Sequence, residues 1–189
     1  MGRSSLLFIS FTLTLSFLTG SLYAQQVVFE EDFESYSDDT DFINNSPWTG
    51  DLNDFTLVSE NGNQLLRLNN DDASGTANRS HISTPSNTAY GSWEFYFRQD
   101  VNPTNANRSF VFLISDRENV NIFSPDESEV NGYALRLGEN GDAPFTLVRV
   151  SNGNQIDLAE SETLIQEGQD YQVKVTRENN GDWQLFVSE

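Results

Sequence analysis

The sequence predicts an all-β protein built as an antiparallel β-sandwich. Three observations carry this. Short runs of alternating apolar and polar residues recur along the chain, about ten or eleven of them. Turn-forming pairs separate most of them, including Asn61-Gly62, Asn140-Gly141, Asn152-Gly153 and Asn180-Gly181. No helical period persists for three turns beyond the apolar N-terminus, and hairpins without helices make a sandwich or a barrel.

The centre of this pattern is Tyr90 to Ser115. Trp93, Phe95 and Phe97 alternate with Glu94, Tyr96 and Arg98, which places three large aromatics on one strand face. Phe110 to Ile114 is apolar at every position, as in a strand covered on both faces. The connection from Val101 to Asn107 is rich in turn residues around Pro103. Two such strands suit the middle of a sandwich.

The N-terminus reads as a signal peptide over residues 1–24. Arg3 supplies the positive start, Leu6 to Leu18 the apolar run, and Ala24 the last residue before cleavage, with Leu22 two positions before it. The run is about 13 residues, short of the ~20 that span a bilayer. The chain has no cysteine, so no lipid-anchoring cysteine and no disulfide. An exported protein without membrane insertion is therefore expected, secreted or at the outer cell surface, held together by its core alone. The 165 residues left after cleavage suffice for one sandwich domain, residues 25–189.

Lys and Arg number 10 against 29 Asp and Glu, a net charge of −19. Phosphate binding needs a basic stripe, so nucleic acid is excluded as a partner, and anionic membranes with it. Most of the carboxylates read as a solvated surface. The sharper reading for a few of them is divalent-cation binding.

In chain order, Val27–Glu34 reads as a first strand, followed by a polar loop from Ser35 to Pro47. Trp48 is expected to plug one end of the core. Phe55–Ser59 and Gln64–Asn69 form a hairpin across Asn61-Gly62, and Asn70–Asn78 is a loop. Ser80–Thr84 is a short strand bearing His81, the only histidine, which without a second His or any Cys builds no zinc site. Asp116–Glu129 is a long acidic loop. Then come strands from Asn131, Phe145 and Ile156, a linking stretch from Glu160 to Gly168, and strands from Tyr171 and Trp183. A sandwich tucks its last strand beside its first, so the natural chain is expected to continue past Glu189 with a closing strand.

Several stretches resemble a known family as an ordered set. They are Glu31-Asp-Phe-Glu34, Trp48-Thr-Gly-Asp, Tyr90-Gly-Ser-Trp-Glu-Phe-Tyr-Phe-Arg, Phe112-Leu-Ile-Ser-Asp, Asn131-Gly-Tyr-Ala-Leu-Arg-Leu-Gly and Asp182-Trp-Gln-Leu-Phe-Val. Together they resemble the concanavalin-like (laminin-G-like) jelly-roll domain at the N-terminus of secreted Bacteroidetes-type, lamin-tail-containing surface proteins. The resemblance implies two large antiparallel sheets, one of them concave. It implies no activity, since this fold hosts lectins, glycosidases and spacers alike.

Two chemistries compete on that fold. Glu30-x-Asp32-x-Glu34 would set three carboxylates on one strand face about 7 Å apart in successive pairs. Laminarinase-type retaining glycosidases, which share the jelly roll, use a strand of that form with one Glu as nucleophile and one as acid/base. There, however, the motif lines a central cleft; here it falls at the first, edge strand, where outward charge blocks unwanted pairing. Carbohydrate binding without catalysis instead needs exposed aromatics for stacking and polar groups for hydroxyls. Tyr96 is best placed, with Glu94 and Arg98 beside it. Tyr133 is a second candidate, and Arg136 joins it without a firm shared face. The partner expected is thus an extracellular glycan or a surface protein. No cofactor is expected beyond a structural calcium, with Glu31 and Asp32 as donors where the first and last strands meet.

Overall fold

The computed structural model describes residues 27–69, 80–118 and 129–189. The expected signal segment, the stretch Asn70–Asn78 and Asp126, Glu127 and Ser128 lie outside the described residues. The described chain is all-β with antiparallel sheets, together with one short α-helix and one 3-10 turn.

Its strands are β1 (Thr49–Gly50), β2 (Phe55–Glu60), β3 (Asn63–Leu68), β4 (Ile82–Ser83), β5 (Gly91–Arg98) and β6 (Ser109–Ser115), then β7 (Gly132–Leu137), β8 (Pro144–Ser151), β9 (Asn154–Leu164), β10 (Asp170–Arg177) and β11 (Trp183–Ser188). A four-stranded meander runs β6-β7-β8-β9, and a three-stranded sheet runs β11-β10-β5. β2 pairs with β3, and β1 with β4.

Register shows how the core forms. Directly opposed residues share a face. Trp93, Val175 and Leu185 stand in one row, and Phe95, Val173 and Val187 in the next; Phe97 faces Tyr171. In the meander Leu135 opposes Leu147 and Leu137 opposes Phe145. These rows from the two sheets meet in one apolar cluster with Leu113, Ala143 and Ile165. The opposite face of the meander carries a second cluster, Val130, Ala134, Val148 and Val150 against Phe110 and Phe112. That split confirms the reading of Phe110–Ile114 as a strand apolar on both faces. A bulge between Phe112 and Ile114 locally breaks its alternation. Gly132, paired with Ser115 just past this bulge, has room for no side chain, because a β-carbon there would collide with the Ile114 carbonyl.

Turn chemistry works as the sequence indicates. Glu60 pairs with Asn63 and Ser151 with Asn154, each across two residues. Both loops are Asn-Gly with positive φ at both positions, +51° and +88° in the first, +49° and +73° in the second. That matches the strand twist of a two-residue hairpin.

Three expectations are corrected. Val27–Glu34 is not a strand: Phe33 has φ +62°, and the Glu31 and Asp32 side chains accept from the N–H groups of Phe33 and Glu34, which curls the chain into turns. Ser35–Pro47 is not all loop. It holds a helix, α1 (Asp39–Asn45), whose first turn is closed by the Asp38 carboxylate accepting from the Asp41 N–H. The linking stretch after Glu160 is largely strand, since β9 runs on to Leu164 with two register shifts against β8. Trp48 packs beside Phe29 and Phe33, which in turn meets fully buried Phe42. These four rings, with Tyr36, give the N-terminal segment its own aromatic cluster.

Candidate functional site

The same alternation that fills the core points the other residues of β5, β10 and β11 outward. Glu94, Lys174 and Phe186 form one outward row, and Tyr96, Gln172 and Ser188 the next. Two large aromatics therefore stand on the open face. Tyr96 is 47% and Phe186 50% exposed. They lie two strands and one row apart, about 12 Å between α-carbons from strand spacing and rise. Between them sit the Gln172 amide and the Lys174–Glu94 ion pair, at 2.7 Å. All six residues line a shallow open depression of about 670 Å³. Flat rings separated by hydrogen-bonding groups on an open floor can stack an extended polar ligand and bond its hydroxyls.

A charged hub fixes one end of this floor. The Arg98 guanidinium donates to both oxygens of Glu60 at 2.6 Å and to Asp100 at 2.7 Å, and lies 3.6 Å from Asp170. These bonds, those to Glu60 foremost, raise its pKa and hold Glu60 below the ordinary carboxylate range. They also tie the β2–β3 hairpin to the edge of the three-stranded sheet. Partial burial, and then the nearby Asp170 carboxylate, push the Tyr96 phenol up to about 12. The Tyr96 ring stays about half exposed on the open face.

Sequence reasoning placed Glu94, Tyr96 and Arg98 on one face, and they share it. Arg98 serves there as an anchor already saturated by carboxylates. Tyr133 and Arg136 belong to the other sheet and to opposite sides of it. Arg136 is buried on the outer face of β7, bonded to both oxygens of Asp157 at 2.9 and 3.1 Å and to Glu139 at 3.1 Å. Tyr133 turns inward at the end of the core, 4.8 Å from the Trp183 ring.

Phe186, Gln172, Lys174 and Ser188 were not singled out from sequence. Phe186 had a usable signal. In Trp183-Gln-Leu-Phe-Val187 it is the one large apolar residue out of phase with Trp183, Leu185 and Val187.

The carboxylates of the hydrolase reading do not form a strand face, because the strand that would align them is a series of turns. Glu34 accepts from the Gln64 N–H at 2.5 Å, and Asp32 bonds within its own turn. Glu31 bonds the Phe33 N–H and the Tyr36 hydroxyl. Among the described residues no three carboxylate or imidazole groups come together in a metal-holding arrangement. His81 contacts Asp51, 2.8 Å from its Nδ1. No described helix is long and apolar enough to cross a membrane. Set against known proteins, the chain matches no family model, no curated protein and no solved structure.

Proposed function

We propose that the chain is an exported, non-catalytic binding module of the concanavalin-like jelly-roll kind, taking a neutral glycan on the outer face of β5, β10 and β11. The observation that carries this is the pair of half-exposed rings, Tyr96 and Phe186, flanking Gln172 and the Glu94–Lys174 pair on an open floor. A single sugar ring cannot cover both aromatics, so the floor suits a chain of sugars. The cations on this face are neutralised: Lys174 by Glu94, Arg98 by Glu60, Asp100 and Asp170. With a net charge of −19 behind them, a polyanionic glycan would be repelled. The two facing sheets with a common core support the jelly-roll architecture, and the apolar leader supports export.

The test is affinity electrophoresis of the purified chain through gels of soluble neutral and acidic polysaccharides. About half of each ring remains to be covered. Full burial of such a side chain contributes ~1.5–3 kcal/mol, so each ring supplies about 1 kcal/mol, or roughly fivefold in affinity. Retardation by a neutral polysaccharide is expected, weakened about 30-fold in Tyr96→Ala/Phe186→Ala with unchanged circular dichroism. Undiminished retardation of the double variant would move the site elsewhere. No retardation by any glycan would leave a spacer domain.

A further inference from the structure

A second cluster lies at the rim where the two sheets end, away from the outer face. The inward column of β10 runs Tyr171, Val173, Val175 and then Arg177. At Arg177 the core stops being aliphatic. Its guanidinium lies 4.9 Å from the Tyr90 ring centre, 5.1 Å from Tyr133 and 5.2 Å from Trp183. Trp183 itself stacks on Trp93 at 5.8 Å. Gly91, at φ +131°, opposes Arg177 and makes the backbone turn beside Tyr90. One Arg177 nitrogen, Nη1, donates to the Ala89 carbonyl, while Nε is buried without an acceptor.

Arg149 joins this rim. It opposes Tyr133 across β7 and β8, so both side chains share the inward face, and Arg149 is exposed. Tyr133 and Arg149 also line a depression of about 310 Å³ with Asn131, Gly132 and Ser151. Among the described residues, neither Arg149 nor Arg177 has a carboxylate within ion-pair distance, although Glu178 and Asp182 follow Arg177 closely in sequence. In a chain with 29 acidic residues, two arginines without a carboxylate partner beside the same tyrosine form a local cationic exception.

We propose that this rim is a separate binding site for a carboxylate-bearing sugar residue, a uronic acid. Guanidinium groups recognise a carboxylate bidentately. Tyr90 is 47% exposed and Tyr133 part-buried, and the ring surface they leave open suits a pyranose. An acidic peptide would supply the carboxylate but would leave those faces unused. The rim cations act within about one Debye length, ~10 Å at 0.1 M salt, so a single uronate is captured while a polyanion still meets the acidic bulk of the molecule.

The test titrates the purified chain with methyl β-glucuronide, methyl β-glucoside and an Asp/Glu-rich peptide, reading tryptophan fluorescence, to which Trp183 contributes from within the rim. A saturable change with the glucuronide alone is expected. Arg149→Gln, which breaks no ion pair, should weaken it at least about fivefold, and Arg177→Lys should weaken it because the planar stacked fork is lost. Tyr96→Ala/Phe186→Ala should titrate normally, so this site stands or falls apart from the outer-face reading. A glucoside response equal to the glucuronide's, no saturable response, binding of the peptide in place of the glucuronide, or an Arg149→Gln protein that titrates like the unaltered one would each overturn the proposal.

Discussion

Removing Asp157 should destabilise the chain more than removing the arginine it serves. The Arg136 side chain is only 10% exposed and is bonded to Asp157, Glu139 and Gln155. Burial works to lower its pKa, yet the two carboxylates outweigh it and the pKa is raised. Asp157→Asn withdraws the bidentate partner and leaves a buried guanidinium with Glu139 and weaker neutral acceptors. Breaking a fully buried pair costs ~3–5 kcal/mol, but Asp157 is 47% and Glu139 41% exposed, so water moderates the loss to about 1–2 kcal/mol. Arg136→Met instead fills the buried stem with an apolar one beside Val148 and Ala134. It leaves two carboxylates already open to solvent, which is within about 1 kcal/mol of neutral. For a chain of this length 1 kcal/mol moves Tm by roughly 2–4 °C. Calorimetry of the purified chain should show Asp157→Asn lower by about 2–8 °C and Arg136→Met within about 4 °C of the parent. A larger loss for Arg136→Met would refute the view that the carboxylates are there to compensate a buried charge.

Further outcomes follow from other contacts. The Tyr171 hydroxyl donates to the Leu164 carbonyl and accepts from the Gln166 N–H, each at 2.9 Å. Tyr171→Phe should cost about 1–3 kcal/mol in urea unfolding; an unchanged midpoint would show that water satisfies those groups. Phe42→Ala should cost ~3–5 kcal/mol, since the ring is fully buried among Phe33 and Tyr36; a normal melt would mean the N-terminal cluster does not unfold with the sheets. Acid sensitivity has a defined sign. Asp41, held by the Ser37 N–H, Glu60, held by Arg98, and Asp116, held by the Asn131 amide, all lie below their unfolded values of 3.8, 4.5 and 3.8. Their contribution is complete above those values and is lost as pH falls through the lower folded ones. The urea midpoint should therefore hold from pH 7 to about 5 and drop below about 4.5, less steeply in Arg98→Met; an equal drop in that variant would exclude Glu60.

How far the sequence was legible depended on how local the cause was. Trp93, Phe95 and Phe97 alternate with a strict period of two, so their inward face, and the outward face of Glu94 and Tyr96, could be read directly. Asn61-Gly62 and Asn152-Gly153 fix their hairpins by backbone preference alone. The N-terminus failed because Val27–Glu34 also alternates, while side-chain-to-backbone bonds from Glu31 and Asp32 win over strand pairing. Helix α1 failed because seven residues show too little period; only the Asp38 cap marked it. Gln172 and Lys174 join the outer face through the pairing of β10 with β5, across some 75 residues of chain, which no local pattern encodes.

Strand β10 ties the two surfaces together physically. Its outward residues, Asp170, Gln172 and Lys174, supply the floor beneath Tyr96 and Phe186, while its inward ones build the core up to Arg177. Packing gives only part of the reason for an arginine at that last inward position, through the Ala89 carbonyl and the three flanking rings. Its buried Nε lacks an acceptor, and π faces compensate only part of a guanidinium's desolvation. A leucine or methionine would continue the Val173–Val175 column against Trp183 without that cost. A position where the core gives up an aliphatic side chain for a cation, beside exposed Arg149 and a half-exposed Tyr90, is better explained by what the arginine can hold than by what it packs against.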